Sequence, residues 1–252
     1  MNLIKIASQD GKHLQHFIRT VHHESQSQAL QLGQMIIDHK PSTVAHDHSA
    51  KAIIKLIKPR NWKERAKLFW GHSRVHKEVK GARLFNQLGL RTPDIYEMGI
   101  AVPFFFNSAY IGYYVMSDLN NQGLVPALDL FRNPTTPVAL RQTVISNICD
   151  GLNRLKSRNV VFTDFHLSNV YSDDKGNITW IDTGVSHYFS DRKMKSKLQN
   201  SVLRFLRFHK DFSFHPQEVS YVKAQLLNDI VTTAEGSAEF QESFAEGISS
   251  FH

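Results

Sequence analysis

A chain of 252 residues with 41% apolar content has the ordinary composition of a globular protein and is long enough to bury one large core or two lobes. Its single cysteine, Cys149, excludes an internal disulfide, so nothing in the sequence asks for an oxidising compartment. The net charge of +7 is unevenly placed: Lys51 to Arg91 carries 12 Lys and Arg against two acids, Asp191 to Lys210 carries seven against one, and Glu218 to His252 holds six acids against one lysine. A basic face suits an anionic partner, whether nucleotide, nucleic acid or acidic membrane surface, though ordinary surface asymmetry gives the same count. No segment approaches the roughly 20 apolar residues of a membrane-spanning helix. The longest apolar region, Ala101 to Met116, is broken by Pro103, Asn107, Ser108 and Gly112. The run at the start is short and interrupted by Lys5, which makes a poor signal peptide. The expectation is a soluble, cytoplasmic protein.

Residues 1–31 are polar and rich in His and Gln, and are expected to form a helical or irregular preface. Leu32 to Ile37 and Ser42 to Ala45 read as short strands around "DHKPS", and Ala52 to Ile57 as a third strand with Lys55 among buried-type neighbours. Arg74 to Leu88 reads as a helix: Val75, Val79, Ala82, Phe85 and Leu88 recur every three or four residues, and Gly89 supplies a stop. Ile95 to Ile100 and Ala109 to Met116 follow as strands. Beyond Asn120 the period becomes helical, with Val144, Ile145, Ile148, Leu152 and Leu155 on one face after Pro137. Val170 to Ser172 and Ile178 to Ile181 flank "DDKGN", a hairpin signal. Strands therefore dominate to about residue 116 and helices after it, which implies an α+β protein. No internal repeat or linker appears.

The stretch "VVFTDFHLSNVYSDDKGNITWIDTG", Val160 to Gly184, carries the chemistry. If its hairpin closes, Asn169 and Asp182 meet at the open end. Their oxygens are hard ligands suited to Mg²⁺ with waters and phosphates. Asp164 lies in the same loop, placed as a base near the metal. This layout resembles the protein-kinase catalytic core: "DFHLSN" fits D-x-x-x-x-N, and "DTG" stands where D-F-G would be, 18 residues after Asp164. "AIIK" resembles the strand that carries the phosphate-gripping lysine, here Lys55. Glu78, on the following helix, resembles its ion-pair partner. His166 resembles the D-x-H-x-x-N form of small-molecule and sugar kinases. The segment "FWGHSRVHKEVKGARLFNQLGLRTPDIYEMG" is similar to the lipopolysaccharide core kinases, the Kdo/WaaP family, and "FTDFHLSNVYSDDKGNITWIDTG" most resembles the heptose kinase branch of that family. The likeness covers roughly residues 32 to 210.

The resemblance implies a bilobal protein-kinase-like fold, with a strand-rich N-lobe over residues 32–116 and a helical C-lobe over 117–252 ending in an acidic tail. It implies ATP between the lobes, its adenine on the backbone of Ser117 and Leu119 and its phosphates on Lys55. It implies Mg²⁺ on Asn169 and Asp182, Asp164 as the base for a sugar hydroxyl, and His166 either on the γ-phosphate or supporting the loop. The expected acceptor is a heptose or Kdo of a lipopolysaccharide core intermediate, or another anionic sugar. Lys58, Arg60, Lys63, Arg65 and Lys67, with Trp62, Phe69 and Trp70 between them, are expected either against an anionic inner-membrane surface or as an ordinary charged loop. No nucleic-acid partner is expected. The sequence departs from the pattern where it lacks a glycine-rich loop before Lys55, has Thr183 in the place of Phe, and continues into basic helices with no A-P-E segment. A kinase of another small molecule and a nucleotide-binding pseudokinase scaffold are the alternatives. A histidine metal site at His46 and His48 or at His22 and His23 lacks helical or finger spacing.

Overall fold

The computed structural model describes residues 3–7, 14–21, 34–48, 50–68, 70–101, 110–207 and 212–234. The chain is mixed α+β, with a large antiparallel sheet first and most of its helices after it. Strands β1 (Leu3–Ala7), β2 (Leu14–Val21), β3 (Gln34–His39), β4 (Ser42–Asp47) and β5 (Ala52–Ile57) precede two helices, α1 (Trp62–Ala66) and α2 (Arg74–Gln87). Strands β6 (Ile95–Ala101) and β7 (Gly112–Ser117) complete a seven-stranded sheet of order β1-β2-β6-β7-β5-β4-β3. The strands expected on either side of "DHKPS" are β3 and β4, closed by a tight turn with His39 opposite Ser42. The helical or irregular preface expected over residues 1–31 is corrected in part. Both described stretches there are strands, and β2 pairs along β6 with Phe17 opposite Ala101. Polar composition hid them because pairing with β6 is a contact between residues distant in the chain, which leaves no local pattern to read.

Helix α2 follows the apolar stripe read from the sequence. Ser73 caps its first turn, and Val75, Val79, Ala82 and Phe85 are buried. After Leu88, Gly89 takes φ 72°, and the Leu90 amide returns to the Phe85 carbonyl at 2.9 Å, the glycine stop expected there. The helix belongs to two hydrophobic clusters at once. Val75 and Val79 pack with Ile54, Leu56 and Tyr113 of the sheet, whereas Phe85 packs with Phe162 and Trp180 of the second half.

The second half contains β8 (Val125–Pro126), α3 (Ala127–Arg132), α4 (Val138–Lys156), β9 (Val160–Val161), β10 (Val170–Ser172), β11 (Ile178–Trp180), β12 (Ser186–His187), α5 (Asp191–Arg207) and α6 (Pro216–Ala234). All five apolar residues predicted for one face of α4 are buried. Pro137 sits just before α4, as its N-cap. Glu218, read as the start of an acidic tail, is instead a buried partner. Its two carboxylate oxygens accept Arg141 Nη2 at 2.8 Å and Nε at 2.9 Å, joining α6 to α4. No helix of the described residues is long and apolar enough to cross a membrane. The break expected around Pro103, together with His22, His23, Phe69 and residues 235–252 of the acidic tail, lies outside the described residues.

Candidate active site

The loop from Phe162 to Asn169 is held from beneath by aromatic packing. Phe162, Phe165 and Trp180 lie edge-on or tilted to one another, and Phe165 stacks on Phe205 of α5 at 4.1 Å. Ser201 of α5 donates to the Phe162 carbonyl at 2.8 Å. With alternate residues buried this way, Asp164 projects outward: its side chain is 62% exposed, and Arg204 of α5 approaches it at 3.8 Å. The hairpin forms as expected, with Val170 opposite Trp180. At its tip the Asp173 carboxylate accepts the amides of Lys175 and Asn177 and the Asn177 side chain, and Gly176 takes φ 82°.

At the open end of the hairpin, the backbone just before Asp182 pairs with Asn169. The Ile181 amide donates to the Asn169 carbonyl at 2.9 Å. Buried Asn169 donates its side-chain N–H to the Asp164 carbonyl at 2.9 Å, which aims the amide oxygen the other way. Asp182 adopts φ 52°, a left-handed conformation uncommon outside glycine and one seen at positions where structure holds a side chain in place. Its carboxylate accepts the Tyr114 hydroxyl at 3.3 Å and forms an ion pair with the Lys55 ammonium. Burial, then the Asp182 charge, raises the Tyr114 phenol far above its ordinary range, so it stays a donor.

The Lys55–Glu78 ion pair expected from the sequence is replaced here by Lys55–Asp182. Glu78 is close, because the Lys55 charge acts on it, yet its Oε2 is enclosed without a hydrogen-bond partner. Burial and the neighbouring Asp182 charge push the Glu78 carboxyl up to about 7. The reason is the tight seam between α2 and the turn at residues 182–184. Thr183 donates its hydroxyl to the Glu78 carbonyl at 3.2 Å. Gly81 faces the Thr183 carbonyl, and Gly184 leaves room for the Glu78 carboxylate. That seam brings the exposed edge of Asp182 to Lys55 ahead of Glu78.

The remaining expected residues sit nearby. The His166 ring is half-buried and shares a 2.6 Å hydrogen bond with Ser168 through Nδ1. Burial lowers its pKa, against an upward push from Asp164 and Asp182. Ser117 commits its amide to the Asp94 carbonyl at 2.9 Å and its hydroxyl to the Asp94 amide at 3.1 Å. The Leu119 carbonyl accepts the amides of Gln122 and Leu124. Between them lies a residue that the sequence reading missed. Buried Asp118 accepts the Asn120 amide at 3.0 Å and the Asn121 side chain at 2.6 Å, and lies 2.8 Å from His46 Nε2. Only β4 pairing with β5 brings His46 there, so no local signal marks the pair. Where a glycine-rich loop was missed, the β3–β4 turn is pinned: Lys58 donates to Asp38 and to the His39 carbonyl, and Arg74 donates to the Pro41 carbonyl at 3.2 Å.

Lys55, Glu78, Asp164, Asp182 and Gly184 line a polar cavity of about 250 Å³ together with Arg60, Glu64, Lys67, His72 and the first turn of α2, whereas Asn169, His166, Ser117 and Leu119 do not line it. Asp182, in this lining, and Asn169, outside it, carry hard oxygen donors of the kind that bind a divalent ion together with water and phosphate. The Lys55 ammonium stands where such positive charge is favoured. Among the described residues no cluster of three or more His, Cys, Asp or Glu is arranged to hold a metal by itself. No protein-family model matches the chain, and no curated protein matches it.

Proposed function

We propose that the protein is an ATP-dependent kinase that phosphorylates a sugar hydroxyl, heptose or Kdo, of the lipopolysaccharide inner core. The observation that carries this reading is the meeting of Lys55 with Asp182, 127 residues apart, beside Asn169 and Asp164. A lysine, two hard-oxygen ligands and one solvent-facing carboxylate are the minimum set for phosphoryl transfer by positioning and charge neutralisation. Two hydrophobic clusters, one under the seven-stranded sheet and one among the helices, support a bilobal protein-kinase-like fold with the nucleotide between them.

In this reading the adenine amino group donates to the Ser117 carbonyl, and the Leu119 amide donates to a ring nitrogen. Lys55 leaves Asp182 for the α- and β-phosphates. Asn169 and Asp182 are the residues that would hold Mg²⁺, which would supply positive charge to the transferring phosphoryl group. Asp164 orients the acceptor hydroxyl and takes its proton as the new P–O bond forms and ADP leaves with the old bridging oxygen. Its exposure leaves space for a bulky acceptor. His166, tied to Ser168, holds the loop that carries Asp164.

Trp62, 73% exposed, and Trp70, 68% exposed, stand among Arg60, Lys63 and Lys67, which supports a peripheral seat on an anionic, cytoplasmic membrane surface. A second reading, a nucleotide-binding pseudokinase scaffold, is favoured by the Lys55–Asp182 pair and the pinned β3–β4 turn. Incubation with Mg²⁺, ATP and core oligosaccharide, followed by mass spectrometry, separates the two. A kinase adds one phosphate to a sugar, and Asp164→Ala abolishes the addition. Nucleotide binding without any transfer would favour the scaffold.

A further inference from the structure

We propose that the outward stripe of α5 is a docking surface for this chain's own acidic C-terminal segment, residues 235–252. The proposal does not depend on the kinase reading. Helix α5 turns Met194, Leu198, Val202 and Phe205 into the core. On its opposite side Lys193, Lys197, Asn200, Arg204 and Arg207 are all exposed. They recur at intervals of four, three, four and three residues, which sets them in one row along the helix. From Lys193 to Arg207 the row is about 21 Å long, at a rise of about 1.5 Å per residue. Among the described residues, Lys193, Lys197 and Arg207 have no carboxylate partner. Asp191, the acid at the start of the helix, is taken by Lys195, which stands outside the row, and Arg204 faces Asp164 at 3.8 Å. Like charges one turn apart on a helix repel, so an acidic occupant relieves the row. Four residues before Lys193, Phe189 is fully exposed and continues the row with an apolar ring.

The C-terminal segment matches this surface in charge and in place. Its acids, Glu235, Glu239, Glu242 and Glu246, recur at four, three and four residues, the intervals of the basic row, and it contains no Lys or Arg. Phe240 and Phe244 stand among those acids and supply rings to cover Phe189. Helix α6 runs beside α4 in the same direction. Arg141 meets Glu218, Ser146 meets Tyr221 at 3.2 Å, and Asn153 donates to the Gln225 carbonyl at 3.3 Å. Helix α6 therefore ends, at Ala234, toward the C-terminal end of α4. Helix α5 begins at that same end, because the Tyr188 amide donates at 2.9 Å to the carbonyl of Asn159, just past the last turn of α4. The acidic segment thus leaves α6 where the basic row starts. From Ala234 to Glu246 the chain spans about 18 Å at helical rise and about 40 Å extended, so its acids reach along the row in either case. Contacts between exposed charges weaken as salt is added.

The test is zero-length carbodiimide cross-linking of the full chain at low protein concentration, followed by peptide mass spectrometry of the monomer band. The expected result is amide links from Lys193 or Lys197 to the acids of residues 235–246, with a yield that falls several-fold at about 0.5 M salt. Glu235→Gln/Glu246→Gln leaves Glu239 and Glu242 able to react, yet their links to α5 fall several-fold as well. Exchanging the signs, with Lys193→Glu/Lys197→Glu and Glu239→Lys/Glu242→Lys in one chain, restores links between the same positions. Circular dichroism checks that each variant is folded as the parent is. Absence of these links in the parent, or a yield indifferent to salt and to Glu235→Gln/Glu246→Gln, would overturn the proposal. Links found only in covalent dimers would assign the stripe to a second copy of the chain, with the same consequence. So would a parent that forms no links but sediments with phosphatidylglycerol vesicles through Lys193 and Lys197, which would assign the stripe to a lipid surface.

Discussion

Gly81→Ala tests the seam that presents Asp182. A Cβ at Gly81 would lie 1.8 Å from the Thr183 carbonyl oxygen and 2.7 Å from its carbon. Both are backbone atoms, so no rotamer change relieves the clash, and α2 must part from the 182–184 turn by roughly 1 Å. Overpacking of this kind costs about 1–3 kcal/mol. Alanine in place of glycine inside a helix offsets about 0.5–1 kcal/mol of that. The net expectation is a loss of up to about 2.5 kcal/mol, with about 1–2 kcal/mol in the middle of that range. With a urea dependence of about 2 kcal/mol per molar, the unfolding midpoint falls by about 0.5–1 M. Nucleotide affinity falls too, because Asp182 is displaced from Lys55 and Tyr114. The assay is urea unfolding followed by circular dichroism, paired with titration of a nucleotide analogue. Helix propensity acting alone gives the opposite sign. A variant as stable as the parent, or more so, would mean that α2 and the turn do not touch as described.

Two further substitutions probe charge. Glu218→Ala leaves the Arg141 guanidinium buried without its partner and should cost about 3–5 kcal/mol, whereas the double replacement Arg141→Met/Glu218→Leu should recover much of it. Equal losses in both, measured by urea midpoint, would remove the pair from the account. Glu78→Gln tests the raised carboxyl. The folded protein holds this proton up to about 7, while the unfolded chain releases it near the ordinary value of 4.5. Stability from this group is therefore full below about 4.5 and lost as pH rises through about 7. The glutamine variant should gain on the parent between pH 5 and pH 8, by at most about 3 kcal/mol, and a pH-independent difference between the two would contradict the burial of Glu78.

Much of the frame was legible because its signals are local. The stripe Val75, Val79, Ala82, Phe85 specified α2 and its glycine stop, and β5 carried the bounds read from its apolar run. The hairpin from Val170 to Trp180 followed from turn chemistry, and with it the pairing of Asn169 with Ile181, the residue before Asp182. What the sequence did not disclose depends on distant partners. Strand β2 exists through its pairing with β6, and Glu218 became a core residue because Arg141 faces it from α4. Lys55 pairs with Asp182 because the close approach of Gly81 and Gly184 to the turn seats Glu78 behind it. The contact of His46 with Asp118 arises in the same way, from strand register.

Isothermal titration of a non-hydrolysable ATP analogue, with and without Mg²⁺, on the parent and on Asp182→Ala addresses the central claim. The account predicts saturable binding by the parent in Mg²⁺, weakened roughly tenfold or more when either the metal or the Asp182 carboxylate is removed. No binding by the parent, or binding indifferent to both removals, would contradict it.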